Sequence, residues 1–144
     1  MTETTQQSAE QAARALFATD AASQSLGMQL VSVGPGTASL TMTVVLSMAN
    51  GHGICHGGYI FLLADSAFAF ACNSHGEPTV AAGAAIDFLA PVRVGDRLTA
   101  TAHEEWLGGR TGIYDIAVSR ADGSVVAHFR GRSHRVSRKP DAVT

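Results

Sequence analysis

The chain has 144 residues, enough for one domain with a sizeable core. Hydrophobic residues make up 46% and charged ones 15%, which excludes a disordered chain, and a net charge of -2 gives no field to draw in nucleic acid or an anionic membrane. The longest apolar run, Tyr59 to Cys72, is interrupted by Asp65 and is too short to span a bilayer.

At the N-terminus, Met1 to Glu10 is polar and carries acid where a signal peptide carries base, so a cytoplasmic protein is expected. Two cysteines, Cys55 and Cys72, are too few for a disulfide scaffold and are expected as thiols. The stretch from Ser8 to Phe17 is rich in Ala, Gln and Glu and predicts a lead-in helix, followed by a polar Asp20-Ala-Ala-Ser segment. Met28 to Val33 and Thr37 to Leu46 read as strands joined through Gly34-Pro35-Gly36 as a hairpin. Ser47 to Gly58, with four glycines and two histidines, has no period and reads as a loop.

Tyr59 to Cys72 is long enough to favour a buried helix over a strand. Four strands follow, Val80 to Leu89, Leu98 to Trp106, Gly112 to Ser119 and Val125 to Val136, and their short glycine-containing joints predict an antiparallel meander. The fold class is therefore α+β with order β-β-α-β-β-β-β, one helix covering one sheet face. Residues 1–25 read as the lead-in, 26–136 as the main domain and 137–144 as a flexible tail.

Charge placement gives the sharpest functional signal. From Ala21 to Gly76 the only formal charge is Asp65, inside the apolar helix, where an unpaired carboxylate costs several kcal/mol or takes up a proton. Position alone is equally compatible with an Asp that bonds a buried backbone group or faces water at the helix edge. The upstream run Asn50-Gly-His-Gly-Ile-Cys-His-Gly-Gly58 enters this helix directly. A helix N-terminus presents unpaired N–H groups, and a glycine there lets a substrate reach the backbone, so Gly57 is a candidate oxyanion donor. His56-Gly57-Gly58 alone reads equally well as the turn that starts a helix.

Eight residues separate Gly57 from Asp65, roughly 12 Å along an α-helix at 1.5 Å per residue. If both act on one carbonyl, the carboxylate comes from a second subunit, and a two-fold dimer supplies that arrangement twice. The last strand puts His128, Arg130, Arg132 and His134 on one face, either a grip for phosphates or an ordinary solvated face.

These residues resemble the phenylacetyl-CoA thioesterases of bacterial phenylacetate degradation. The resemblance is carried by Asn50 to Gly58, Leu63-Ala-Asp-Ser-Ala-Phe-Ala69, Ile86-Asp-Phe-Leu-Ala-Pro91, Thr111-Gly-Ile-Tyr-Asp-Ile116 and Phe129-Arg-Gly-Arg-Ser-His-Arg135. It implies a hotdog fold, in which a curved sheet wraps one long helix, and homodimers that pair into homotetramers. It also implies Asp65 as nucleophile or general base, Gly57 as oxyanion donor, and His56 and Asn50 as groups that position the thioester or water. Arg110, Arg130, Arg132 and Ser133 would hold coenzyme A, which enters as part of the substrate, and no metal or redox cofactor is expected. The implied substrate is phenylacetyl-CoA or a ring-hydroxylated form, with a medium-chain acyl-CoA as the alternative.

Other readings are weaker. His52-x-x-Cys55 and Cys72-x-x-His75 have zinc-like spacing, but a helix between them separates the pairs by roughly 22 Å. Cys55 as a nucleophile would need its adjacent histidines to point at it. The Asp-x-Asn-Pro-x-His pattern of hotdog dehydratases is absent, and a non-catalytic acyl-CoA sensor would have no use for a lone carboxylate at a thioester.

Overall fold

The structure is a computed structural model that describes residues 4–136; the tail expected at 137–144 lies outside them. Helix α1 spans Gln6–Ala18 and starts in a reciprocal cap between Thr5 and Ser8. Its buried face is Ala9 and Ala13, and Gln6 Nε2 ties it to the sheet by donating to the Val33 carbonyl at 2.7 Å. The polar segment that follows forms a short helix instead, α2 (Ala21–Ser25). Asp20 caps it by accepting from the Ser23 N–H at 3.0 Å. The Ser23 hydroxyl then meets that of Ser66 at 2.9 Å, which locks α2 to the central helix.

Strands β1 (Gln29–Gly34) and β2 (Thr37–Thr43) form the expected hairpin, with Gly36 in the left-handed region at φ 73°. β2 ends three residues earlier than predicted, because Leu46–Met48 curls into a single 3-10 turn. Helix α3 (Gly57–Cys72) follows, then β3 (Thr79–Phe88), β4 (Arg97–Gly108), β5 (Thr111–Ser119) and β6 (Val125–Arg135).

All six strands join one antiparallel sheet in the order β1-β2-β4-β5-β6-β3. The meander therefore holds for β4, β5 and β6 only; β3 pairs with β6 and not with β4. The joint at Val94-Gly95-Asp96 is not a hairpin turn between β3 and β4. It docks on the end of β2, where Val44 N–H donates to the Asp96 carbonyl and Gly95 N–H to that of Val44. β4 is thereby delivered to β2, and among the described residues β3 is left at the far edge with one side unpaired.

Helix α3 lies across the inner face of the sheet. Phe68 is the centre of the contact, with its ring 5.5 Å from Tyr114 and 5.8 Å from Phe129. Each such fully buried aromatic stabilises the fold by roughly 1.5–3 kcal/mol. Gly131 on β6 makes this approach possible: a Cβ there would lie 2.7 Å from the Phe68 ring. Burial alternates along β5 and β6, so Tyr114, Phe129, Gly131 and Ser133 face the helix while His128, Arg130, Arg132 and His134 face out. Among the described residues no helix is long and apolar enough to cross a membrane.

Candidate active site

The loop before α3 is built by its own backbone and by Asn50. The Asn50 side-chain oxygen accepts from the N–H of His52 at 2.9 Å and of Ile54 at 3.3 Å, while Gly53 takes φ 81° to close the turn. Cys55 N–H donates to the Val92 carbonyl and His56 N–H to that of Met48, which fixes where the chain enters the helix. With its oxygen committed to the loop, Asn50 keeps only its amide N–H groups for other partners.

His56 is the N-cap of α3, and its Nδ1 accepts from the Gly58 N–H at 2.9 Å. That bond assigns the ring proton of the neutral form to Nε2, which then serves as a donor. Gly57 is the first helical residue, and among the described residues its N–H has no acceptor. Its Cα lies against the Phe88 ring, since a Cβ on Gly57 would sit 2.9 Å from Phe88 Cζ. Beside it opens a cleft of about 510 Å³ lined by Asn50, Cys55 and Gly57 from the loop and helix start, by Phe88 at the end of β3, and by Leu89 and Val92 after it.

Asp65 stands two turns further along the same helix. It is half-buried, and no hydrogen bond or ion pair to it is present among the described residues. Burial alone pushes its pKa above the usual carboxylate range. It does not line the Gly57 cleft. It belongs instead to a stripe with Gly58, Phe61, Leu62 and Ala69, the side of α3 that the sheet leaves partly uncovered. One chain thus presents the donor and the carboxylate at separate places.

The four residues assigned to coenzyme A are not brought together in one chain. Arg130 is engaged: its Nε and Nη2 donate to both oxygens of Asp115 at 2.6 and 2.7 Å, and this pairing holds the Asp115 carboxyl below its ordinary range. Arg132 is exposed on the same outer face, with a long contact of 3.4 Å to the Ala82 carbonyl. Arg110 is exposed at the β4–β5 turn. Ser133 is buried on the inner face and donates to the Gly112 carbonyl, so the strand alternation keeps it from the side of Arg130 and Arg132, although it lines a small cavity together with Arg110.

Cys55 borders the cleft but is buried, and burial, with Asp96 adding, pushes its thiol up, which opposes a nucleophilic role. Two features escaped the sequence reading. The cleft wall of Phe88 and Leu89, 52% and 60% exposed, is one; large apolar side chains at a strand end before Pro91 were its available signal. The other is a cluster at the far end of α3, where Glu104 Oε1 accepts from Tyr114 Oη at 2.8 Å and meets His75 Nε2 at 2.7 Å. Its members are distant in sequence, and no one motif joins them.

Comparison with known proteins identifies the family. Residues 52–127, just over half of the chain, match the model of the thioesterase superfamily. The chain is 49% identical over 126 residues to the Escherichia coli acyl-coenzyme A thioesterase PaaI, covering 88% of this chain and 90% of that one. It is 30% identical to human acyl-coenzyme A thioesterase 13 over 73% of this chain and 77% of that one. The solved structure of the E. coli PaaI protein from the phenylacetic acid degradation operon superposes with a TM-score of 0.90 at 48% identity, over 92% of this chain and 96% of that one. A Streptococcus mutans protein solved with bound acetyl-CoA gives 0.74 at 26% identity, over 78% and 91%. The chain belongs to the thioesterase superfamily and is a thioester-hydrolysing enzyme of the hotdog fold.

Proposed function

We propose that this chain hydrolyses acyl-coenzyme A thioesters at sites shared between two copies, with phenylacetyl-CoA or a ring-hydroxylated phenylacetyl-CoA as its preferred substrate. The observation that carries the shared site is Asp65: a half-buried carboxylate with no partner among the described residues, on the same helix as a Gly57 N–H that likewise has none there, roughly 12 Å away along the helix axis at 1.5 Å per residue. A homodimer formed along β3 brings a second α3 beside the first. That strand suits the purpose, because Thr79 to Ile86 is uncharged, rich in exposed alanine and unpaired on its outer side, the kind of edge an isolated protein normally protects. Dimers then pair into a homotetramer in the cytoplasm, where Cys55 and Cys72 stay reduced.

In this site the Gly57 N–H of one subunit stabilises the oxyanion formed as the thioester carbonyl is attacked. The Nε2–H of His56 donates to the same oxygen, and the Asn50 amide N–H groups orient the thioester or water. Asp65 of the partner is the attacking group or its activator. As nucleophile, its oxygen bonds to the carbonyl carbon, the C–S bond breaks, and the departing thiolate takes a proton from water; a second water then cleaves the anhydride. As general base it takes the proton of the attacking water and passes it to the thiolate. A carboxyl pKa raised by burial favours proton transfer near neutral pH. Single turnover in ¹⁸O-water separates the routes, since only the first delivers label to Asp65 when the anhydride opens at that side.

Arg110 and Arg132 are left to hold the coenzyme A phosphates, and this chemistry requires no metal or redox cofactor. Thiol release from a panel of acyl-CoAs, aromatic and medium-chain, tests the proposal. Hydrolysis fastest with the arylacetyl thioesters and lost in Asp65→Asn is the expected result. No hydrolysis of any member by the native chain refutes it and leaves an acyl-CoA sensor.

A further inference from the structure

We propose that Phe88 is the specificity-determining wall of the acyl pocket, the surface on which an aromatic acyl ring stacks while its thioester carbonyl docks at Gly57. The inference rests on the acyl-CoA hydrolase reading and deepens it. Phe88 is the last residue of the edge strand, and its backbone is anchored on β6, where it faces Ala127. The next two N–H groups, of Leu89 and Ala90, donate to the Val126 carbonyl at 2.8 and 3.3 Å. The ring is thereby held over the first turn of α3, with Cζ, Cε1 and Cε2 all within 3.4 Å of where a Gly57 Cβ would be. A carbonyl bonded to the Gly57 N–H therefore has the tip of this ring as a neighbour.

Phe88 is not used by the core. Phe68, Phe70 and Phe129 are each at most 1% exposed, whereas Phe88 is 52% exposed. Among the described residues it pairs with no other aromatic ring, so its face is open to a ligand. The rest of the cleft identifies which part of a thioester it takes. Ile54, Ile60, Leu89 and Val92 are apolar, and Asn50, whose oxygen is already committed, is its one strongly polar side chain. Beyond the Asn50 N–H groups such a lining gives little for the two amides of the pantetheine arm to bond, and it suits an acyl ring. The Gly57 backbone has no side chain because Phe88 already occupies that space.

The test compares kcat/KM for phenylacetyl-CoA and hexanoyl-CoA in the native enzyme and in Phe88→Leu and Phe88→Tyr. Phe88→Leu is expected to lower the aryl-to-alkyl ratio about threefold to tenfold, the range of an aromatic pair, with hexanoyl-CoA changed less than about twofold. Phe88→Tyr is expected to keep the ratio. An equal fall for both thioesters, or an unmoved ratio, overturns the proposal and makes Phe88 a structural neighbour of Gly57. Binding of the same two thioesters to Asp65→Asn, with and without Phe88→Leu, reads the contact without hydrolysis. A native chain that hydrolyses neither thioester thus refutes the hydrolase reading, while the ratio of Kd values still decides on Phe88.

Discussion

Replacing Gly57 with proline deletes one backbone N–H and also presses on the Phe88 ring. The position is the first residue of α3, where proline's fixed φ is suited and the missing N–H has no helical acceptor to lose. The preceding residue, His56, sits at φ -64° and ψ 134°, in the extended region that a following proline demands. At the Cβ position the conflict is with the Phe88 ring, Cζ at 2.9 Å and Cε1 at 3.2 Å, and that ring, 52% exposed, has to shift to make room. Turning it costs about 0.5–1.5 kcal/mol, offset by about 0.4–1 kcal/mol from the stiffer unfolded chain. Thermal unfolding should then shift by no more than about 4 °C. Activity should respond far more strongly. Loss of one oxyanion donor typically lowers kcat about 10²–10³-fold, equivalent to about 2.7–4 kcal/mol of transition-state stabilisation. Thiol release and thermal unfolding measured on Gly57→Pro check both halves. A kcat within about threefold of the native value at unchanged melting temperature would remove Gly57 from the oxyanion role.

Asp65→Asn should separate stability from activity. Burial raises the Asp65 pKa, so the folded state binds this proton more tightly than the unfolded chain does. The ionised carboxylate therefore opposes folding above its raised folded pKa, and the cost vanishes below the ordinary Asp value of about 3.9. Asp65→Asn should melt higher than the native protein at pH 8, with the gap closing as the medium is acidified; equal melting at pH 8 contradicts the burial argument. Gly131→Ala forces a Cβ to 2.7 Å from the Phe68 ring, and Phe68, 1% exposed, has nowhere to go. Overpacking of this kind costs about 1–3 kcal/mol, a drop of roughly 3–10 °C, and an unchanged melting temperature would place the helix elsewhere. Burial pushes both thiols up, Cys72 to about 12, so native protein at pH 8 should react slowly with a thiol reagent and yield two thiols per chain once denatured. Fast native labelling of Cys55 would return it to consideration as a nucleophile.

Much of the site was legible because it depends on local rules. A lone carboxylate in an apolar helix and a glycine at the helix start announce themselves by composition and position; Asp65 falls on α3 as the length of that run predicted, and the helix starts two residues before Tyr59 and so takes in Gly57. Strand alternation likewise put Arg130 and Arg132 on one face and Ser133 on the other, so a single grip made from all three was already at odds with the period of two. What the sequence withheld depends on non-local pairing. The place of β3 is decided by hydrogen bonds between the Gly95 turn and Val44, some fifty residues apart in the chain. Phe88 meets Gly57 only because that edge strand lies on β6, and Asp115 engages Arg130 only across β5 and β6. The helix α2 was missed although Asp20 and Ser23 have cap spacing, because five residues show no period.

The shared site is tested most directly by mixing two variants that are each expected to be inactive, Gly57→Pro and Asp65→Asn. The two are unfolded together in equal amounts and refolded beside native protein treated in the same way. Random pairing makes about half of the dimers hybrid, and each hybrid holds one site with an intact Gly57 from one chain and an intact Asp65 from the other. The mixture should therefore recover about a quarter of the native rate of thiol release, while each variant refolded alone stays inactive. A mixture as inactive as its components would mean that Gly57 and Asp65 do not serve one thioester from two subunits.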